Sequence, residues 1–114
     1  MAVDWSSGKF PQRLTKAIKN SDSVFSAWDG DRLVGLINVL SDSEMTAYIH
    51  YMLIHPDYQG QGIGKKLMNL VKEAYKNFLA IVLISYDTKV EFYQNCGFET
   101  GDDKTPMFIS QMKI

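Results

Sequence analysis

Cysteine is nearly absent from this sequence, since Cys96 is the single one among its 114 residues. One cysteine cannot form a disulfide within the chain, and it cannot supply the thiolate cluster of a cysteine-based metal site. Metal clusters built on cysteine are therefore excluded, and we expect no metal ion as a cofactor. A chain without disulfides also fits residence in the cytoplasm, where thiols stay reduced.

Long apolar runs and an excess of positive charge are missing as well. No apolar stretch approaches the roughly 18 residues of a membrane-spanning helix, and the N-terminus lacks the pattern of a signal peptide. Twelve basic residues stand against 13 acidic ones, so the formal net charge is −1. We expect no membrane partner, and no nucleic-acid partner because such proteins usually carry a basic surface.

What is present is the composition of an ordinary globular protein. Hydrophobic residues make up 46% of the chain and charged residues 22%, which is close to the average for folded domains. A chain of 114 residues has the size of one domain and can bury a substantial core. We therefore expect residues 1–114 to form a single domain.

The spacing of apolar residues predicts a mixed order of helices and strands. The continuous apolar run over 79–85 is typical of a central, parallel strand. Thr88 and Glu91 form a capping-box pattern before a short helix that ends at Gly97. In chain order, the other predicted elements are a helix over 11–20, strands over 24–28, 33–40 and 46–54, a helix over 63–77 and a last strand over 106–112.

The most informative segment is Tyr58-Gln59-Gly60-Gln61-Gly62-Ile63-Gly64-Lys65, between the third strand and the long helix. Glycines at this spacing let the backbone approach a ligand, and the helix start adds unpaired N–H groups and the positive end of its dipole. Together these features predict an anion site, most often for phosphate or pyrophosphate. The segment fits neither a Walker loop, which needs Ser or Thr after its Lys, nor a dinucleotide fingerprint.

A second motif, Phe92-Tyr93-Gln94-Asn95-Cys96-Gly97-Phe98, follows the predicted strand over 79–85. The two motifs and the order of elements resemble the Gcn5-related N-acetyltransferase (GNAT) superfamily. The glycine segment matches the family's Gln/Arg-x-x-Gly-x-Gly/Ala loop at each defined position. The second motif is similar to its Phe-Tyr-x-x-x-Gly-Phe segment, and the resemblance runs from Val24 to the C-terminus.

The resemblance implies an acyl-CoA N-acyltransferase fold of the α+β class, with an α/β-type three-layer arrangement. Its mixed, mostly antiparallel sheet contains a central parallel pair of strands that splays apart, and the strand before the glycine loop is bulged. Relatives usually begin with a further strand and helix, for which Met1 to Lys9 leave too little room. We therefore expect a member that is short, either naturally or by truncation, with an uncovered sheet edge, which favours a homodimer.

The resemblance also implies acetyl-coenzyme A (acetyl-CoA) as cosubstrate. The backbone of Met52, Leu53 and Ile54 is expected to bind its pantetheine, and the Met52 N–H to stabilise the oxyanion as a primary amine attacks the thioester directly. No acyl-enzyme is required, because both reactants are held in one cleft. The residues expected to bind the pyrophosphate are Gln59, Gly60, Gln61, Gly62, Ile63, Gly64 and Lys65.

Two further side chains are expected to handle protons. Tyr93 corresponds to the family's tyrosine that protonates the departing thiolate of coenzyme A. His50 is a candidate base for the protonated amine, directly or through water, and bulk water is the alternative. Tyr48 and His50 are two residues apart on one strand, so they should face the same side. Cys96 is disfavoured as a nucleophile because it has no His or acidic partner at a suitable spacing.

Two function classes follow from these residues. The first is an acyl-CoA-dependent N-acetyltransferase that acts on a small-molecule or peptide amine. The second is a non-catalytic module that binds or senses acyl-CoA, in which the glycine loop persists without turnover. The presence of Tyr93 favours the enzyme, and the sequence does not identify the acceptor.

Overall fold

The computed structural model describes residues 11–110. This part of the chain contains three α-helices and four β-strands. Short 3-10 turns at Pro56–Tyr58 and Asp87–Lys89 precede the second and third helix. In chain order, the elements are α1 (Pro11–Lys19), β1 (Ser23–Asp29), β2 (Arg32–Ser41), β3 (Thr46–Ile54), α2 (Ile63–Ala74), β4 (Ala80–Leu83) and α3 (Val90–Asn95).

The four strands form one sheet in the order β1-β2-β3-β4. The first three strands are antiparallel, and β4 runs parallel to β3, which confirms the mixed, mostly antiparallel sheet. The prediction of a central strand over 79–85 was wrong in two respects. β4 lies at the edge of the described sheet, and it is shorter because only Ala80–Leu83 pair with β3.

Two predictions near the C-terminus also fail. Residues 106–110 form no strand and are exposed, while 111 and 112 lie outside the described residues. Met107, Phe108 and Ile109 form a short apolar run of the kind found in strands, but an isolated strand is not stable without a paired neighbour. The capping box of Thr88 and Glu91 does not form, because Thr88 lies inside the 3-10 turn and α3 begins after Lys89 without a side-chain cap. The predicted absence of a first strand and helix concerns residues 1–10, which lie outside the described residues.

The core lies between α2 and one face of the sheet. Apolar residues recur at helical spacing over 63–78, which predicts one buried face that includes Leu67, Leu70, Val71 and Tyr75. Leu67, Val71 and Tyr75 are buried, but Leu70 is 49% exposed and Met68 is buried instead. The helix also ends at Ala74 rather than at residue 77. The buried residues of this core are Ile37, Val39, Ala47, Ile49, Leu67, Met68, Val71, Tyr75 and Cys96.

None of the described helices is long and apolar enough to cross a membrane.

Tyr75 connects α2 to the start of β1. Its ring is buried and meets the Phe78 ring edge-on, with 4.9 Å between centroids. Its hydroxyl donates to the Asp22 carboxylate and lies 2.7 Å from the Ser23 hydroxyl. The pair of polar contacts anchors the C-terminal end of α2 on the sheet.

Tyr75→Phe should therefore destabilise the fold without changing its shape. It removes the hydrogen bonds of the hydroxyl, and water can replace the donor at the exposed Asp22 carboxylate, so the expected cost is about 0.5–1.5 kcal/mol. We expect the free energy of unfolding in urea to fall by that amount with an unchanged dependence on urea concentration. An unaltered midpoint would show that the Asp22 contact contributes nothing to stability.

Candidate active site

A β-bulge interrupts β3 at His50. Asn38 pairs with Tyr51 and Val39 pairs with Ile49, so His50 has no partner on β2. The extra residue changes the side-chain alternation, because Ala47 and Ile49 belong to the core before the bulge, and Met52 and Ile54 pack against it afterwards. The bulged strand implied by the resemblance is confirmed.

Beyond the bulge, β3 leaves its parallel neighbour. Pairing with β4 ends at Ile49 and Leu83, whereas β3 continues to Ile54. This divergence opens a cleft along the edge of β3 that faces β4.

The backbone of β3 directs specific N–H groups into this cleft. The N–H of Tyr51 donates to Asn38 Oδ1 at 2.9 Å, and that of His55 donates to Val34 O at 2.8 Å, so both point toward β2. Successive N–H groups of an extended strand point to opposite edges. The N–H groups of Met52 and Ile54 therefore point to the cleft edge.

A cavity of about 960 Å³ occupies the cleft and continues to the glycine loop. This volume lies at the upper end of the usual range for ligand pockets. Gln61 is an exception among the predicted binding residues, because its side chain is exposed and the residue does not line the cavity. Those that do line it are His50, Met52, Leu53, Ile54, Gln59, Gly60, Gly62, Ile63, Gly64, Lys65 and Tyr93.

The glycine loop presents free backbone donors at the start of α2. Gly60 and Gly62 have φ values of 79° and 82°, a left-handed conformation that favours glycine. Gly62 is the N-cap and offers no side-chain cap. The first helical hydrogen bond comes from Lys66 N–H to Gly62 O, so the N–H groups before it have no partner within the helix.

The charges around this helix start also favour an anion. The first turn of α2 contains no acidic residue, and Lys65 and Lys66 are exposed there. Both ammonium groups add to the positive end of the helix dipole. Gly64 has another role, since a Cβ there would lie 3.3 Å from Phe92 Cζ and 3.5 Å from Met52 Cε, so glycine permits close packing.

Tyr93 lies half-buried on the wall of the cavity. Its ring is edge-on to Phe92 and Phe98, with centroids 5.2 and 6.1 Å away. Burial, with a smaller effect of Cys96, raises the pKa of Tyr93 above its usual value near 10. The phenol is therefore protonated at neutral pH and can act as a hydrogen-bond or proton donor.

His50 lies half-buried across the bulge. Its ring stacks on Tyr51 with centroids 4.2 Å apart and lies 5.9 Å from the Tyr48 ring, so Tyr48 and His50 share a face as predicted. Its Nδ1 is buried and has no hydrogen-bond partner among the described residues. Burial lowers the pKa of His50 below 6.5, so the ring is neutral at pH 7 and can accept a proton.

Comparison with known proteins identifies the family. The profile of the acetyltransferase (GNAT) domain matches residues 5–107. The chain belongs to the GNAT family.

Relatives and solved structures of this family share both sequence and fold with the chain. A GCN5-related N-acetyltransferase 2, chloroplastic, from Arabidopsis thaliana is 35% identical over 79% of this chain and 38% of its own length. The uncharacterized N-acetyltransferase ycf52 of Gracilaria tenuistipitata is 40% identical over 62% of this chain and 40% of its own. A GNAT-family acetyltransferase from Streptococcus pneumoniae superposes with a TM-score of 0.79 at 30% identity, covering 88% of this chain and 80% of that one.

The chain spans about two-fifths of the length of these two curated relatives.

Several residues of this candidate site were not predicted from the sequence. Tyr51, Tyr86, Asp87 and Phe108 line the cavity. Tyr86 and Asp87 follow the end of a parallel strand, where ligands commonly bind in open sheets, and this position could have indicated them. No sequence signal marks Phe108. Among the described residues, no group of three or more His, Cys, Asp or Glu could hold a metal ion.

The glycine loop leads to a prediction about ligand binding at this candidate site. Acetyl-CoA should raise the melting temperature of the protein, because a ligand of the folded state stabilises it by mass action. Gly62→Asp should abolish this shift, since it places a negative charge at the helix start that would hold the pyrophosphate. The measurement is a thermal shift over increasing acetyl-CoA.

Two variants control for backbone strain and for bulk. Gly62→Asn has nearly the same size without the charge and should retain more of the shift. Gly30→Asp places the same residue at another left-handed glycine, with φ of 61°, and should respond like the wild type because Gly30 does not line the cavity. A wild-type protein that is indifferent to millimolar acetyl-CoA would contradict the assignment of this loop.

Proposed function

We propose that this chain is an N-acetyltransferase that moves an acetyl group from acetyl-CoA to a primary amine by direct attack. The observation that carries the proposal is the cleft beyond the bulge. There the N–H groups of Met52 and Ile54 face the same cavity as the N–H groups at the start of α2 and the half-buried Tyr93.

The two sets of N–H groups match the two ends of acetyl-CoA. The start of α2, with Lys65 beside it, suits the pyrophosphate, because unpaired N–H groups and the helix dipole both favour an anion there. The free edge of β3 suits the pantetheine, whose amides can pair with a strand edge as a short extra strand would. With both ends bound in this way, the thioester would lie near Met52.

The chemistry assigns one task to each of three groups. The amine nitrogen attacks the thioester carbonyl carbon, and the Met52 N–H donates to the oxygen that gains negative charge. The carbon–sulfur bond then breaks, Tyr93 gives its proton to the departing thiolate, and the extra proton on the newly acylated nitrogen returns to Tyr93 through solvent. His50 or bulk water takes the proton that the ammonium form of the acceptor must lose before attack.

Initial rates of thiol release with acetyl-CoA and a panel of amines and peptides test this proposal. A direct transfer predicts that rates varied in both substrates give intersecting double-reciprocal lines and that no acetylated protein accumulates. A protein that binds acetyl-CoA but acetylates no amine would instead be the alternative, a non-catalytic binding or sensing module. The same panel of amines and peptides shows whether the acceptor is a small molecule or a peptide.

The biological setting remains part of the proposal. Residence in the cytoplasm and a homodimer that covers a sheet edge stay predictions. The relative from Arabidopsis thaliana carries the word chloroplastic in its name, so location deserves its own measurement in cells.

Tyr93→Phe tests the proton donor. The change keeps the ring and removes the hydroxyl, so kcat should fall by on the order of 10² while KM for acetyl-CoA stays close to the wild-type value. Tyr75→Phe is the matched control, because it removes a hydroxyl that lies outside the cavity and should leave kcat unchanged. Wild-type turnover by Tyr93→Phe would assign the proton to water or another group.

His50→Gln tests the base. Protonated His50 cannot accept a proton, so kcat/KM should rise with pH through an apparent pKa below 6.5, the direction set by burial. His50→Gln should lose this limb and keep its affinity for coenzyme A. An acceptor amine that loses its own proton gives a second limb near the amine pKa in both proteins. Superimposable profiles would leave bulk water as the proton acceptor.

A further inference from the structure

Asn38 is a polar side chain in the centre of an apolar strand. It lies in the run Leu36-Ile37-Asn38-Val39 of β2, and it is fully buried with 0% exposure. Burying an amide costs free energy unless its polar atoms find partners. The position therefore needs an explanation other than core packing, for which an apolar residue would serve.

Both ends of the Asn38 amide have partners. Its oxygen accepts from the Tyr51 N–H at 2.9 Å, and its nitrogen donates to Ser21 Oγ at 3.0 Å. Ser21 Oγ in turn donates to Ala17 O at 2.9 Å, at the end of α1. Because a backbone N–H can only donate, the Asn38 atom that faces Tyr51 must be the oxygen.

The bulge explains why a side chain is needed there. An extra residue in one strand interrupts the ladder and leaves a backbone group without its usual partner. Asn38 is the residue paired with Tyr51, next to the unpaired His50. Its side chain accepts the hydrogen bond that a regular ladder would have given to a carbonyl.

We infer that Asn38 is a positioning residue for acetyl transfer, which holds the bulge so that the Met52 N–H points into the cleft. This inference rests on the proposed function. If a strand slips by one residue, the N–H groups that pointed to one edge are replaced by those that pointed to the other. If the Tyr51 N–H were released from β2, the N–H groups of Met52 and Ile54 would lose the fixed direction that the oxyanion and the pantetheine require.

A purely structural role for Asn38 makes a different prediction. It would lower the stability of the fold but leave kcat of the folded protein unchanged. A positioning role lowers kcat in protein that is fully folded, with a smaller effect on KM for acetyl-CoA, because the start of α2 still binds the pyrophosphate.

Three variants separate these roles. Asn38→Leu has a similar volume without an acceptor, Asn38→Asp keeps an oxygen for the Tyr51 N–H, and Ser21→Ala removes only the other end of the network. For each we would measure kcat, KM for acetyl-CoA, the free energy of unfolding, and hydrogen exchange of the Tyr51 amide. Should Asn38→Leu fail to fold, Asn38→Ala replaces it with the same expectations.

We expect Asn38→Leu to lower kcat by roughly 10- to 100-fold and to release the Tyr51 amide to exchange. Asn38→Asp should retain most of kcat, and Ser21→Ala should lose stability while keeping both kcat and protection of Tyr51. Wild-type kcat in Asn38→Leu, or an equal loss in Asn38→Asp, would overturn the inference. If the wild-type protein transfers no acetyl group, the proposed function itself is contradicted. Hydrogen exchange of the Tyr51 amide can still be measured in that case, because it does not depend on catalysis.

Discussion

The hydrogen bond from the Tyr51 N–H to the Asn38 side chain fixes which N–H groups of β3 point toward β2 and which point into the cleft. The candidate site depends on these directions. Before the bulge, β3 is an ordinary internal strand that pairs with β2 and β4. After it, one edge still pairs with β2 and the other is open to the cavity. A ligand that carries amides can therefore bind to an edge that the fold itself leaves unpaired.

Burial shifts the pKa values of two side chains that line the cavity, His50 and Tyr93, in opposite directions. It lowers the pKa of His50 and raises that of Tyr93, so both groups are neutral at pH 7. A neutral imidazole can accept a proton and a neutral phenol can donate one, which is the combination that amine acetylation requires. The ammonium groups of Lys65 and Lys66 lie at the start of α2, where they suit a pyrophosphate.

The sequence predicts the parts of this protein whose chemistry is local. Positive φ at Gly60 and Gly62 follows directly from glycine in a strand-to-helix turn, and the segment around Tyr93 lies where the second motif indicates. Non-local features were harder to predict. The position of β4 at the edge of the described sheet depends on pairing, which an apolar run does not reveal, and the absence of a strand at 106–110 has the same cause.

Two residues show what a single sequence hides. Asn38 could have been noticed as a polar residue within an apolar strand, but its partner Tyr51 is known only once the register is known. Met68 replaces Leu70 in the core because the packing of α2 on the sheet, rather than spacing alone, decides which face is buried. Spacing gives the period of a helix and leaves its rotation uncertain by about one residue.

The most direct test of the central claim is a coenzyme A titration followed through the backbone amide signals of the protein by nuclear magnetic resonance. The account predicts that the amides of Met52 and Ile54 shift together with those at the start of α2, Ile63, Gly64 and Lys65. The amides of Ala47 and Ile49, in the part of β3 that pairs with β4, should change little. Shifts confined to other surfaces, with Met52 and Ile54 unaffected, would contradict it.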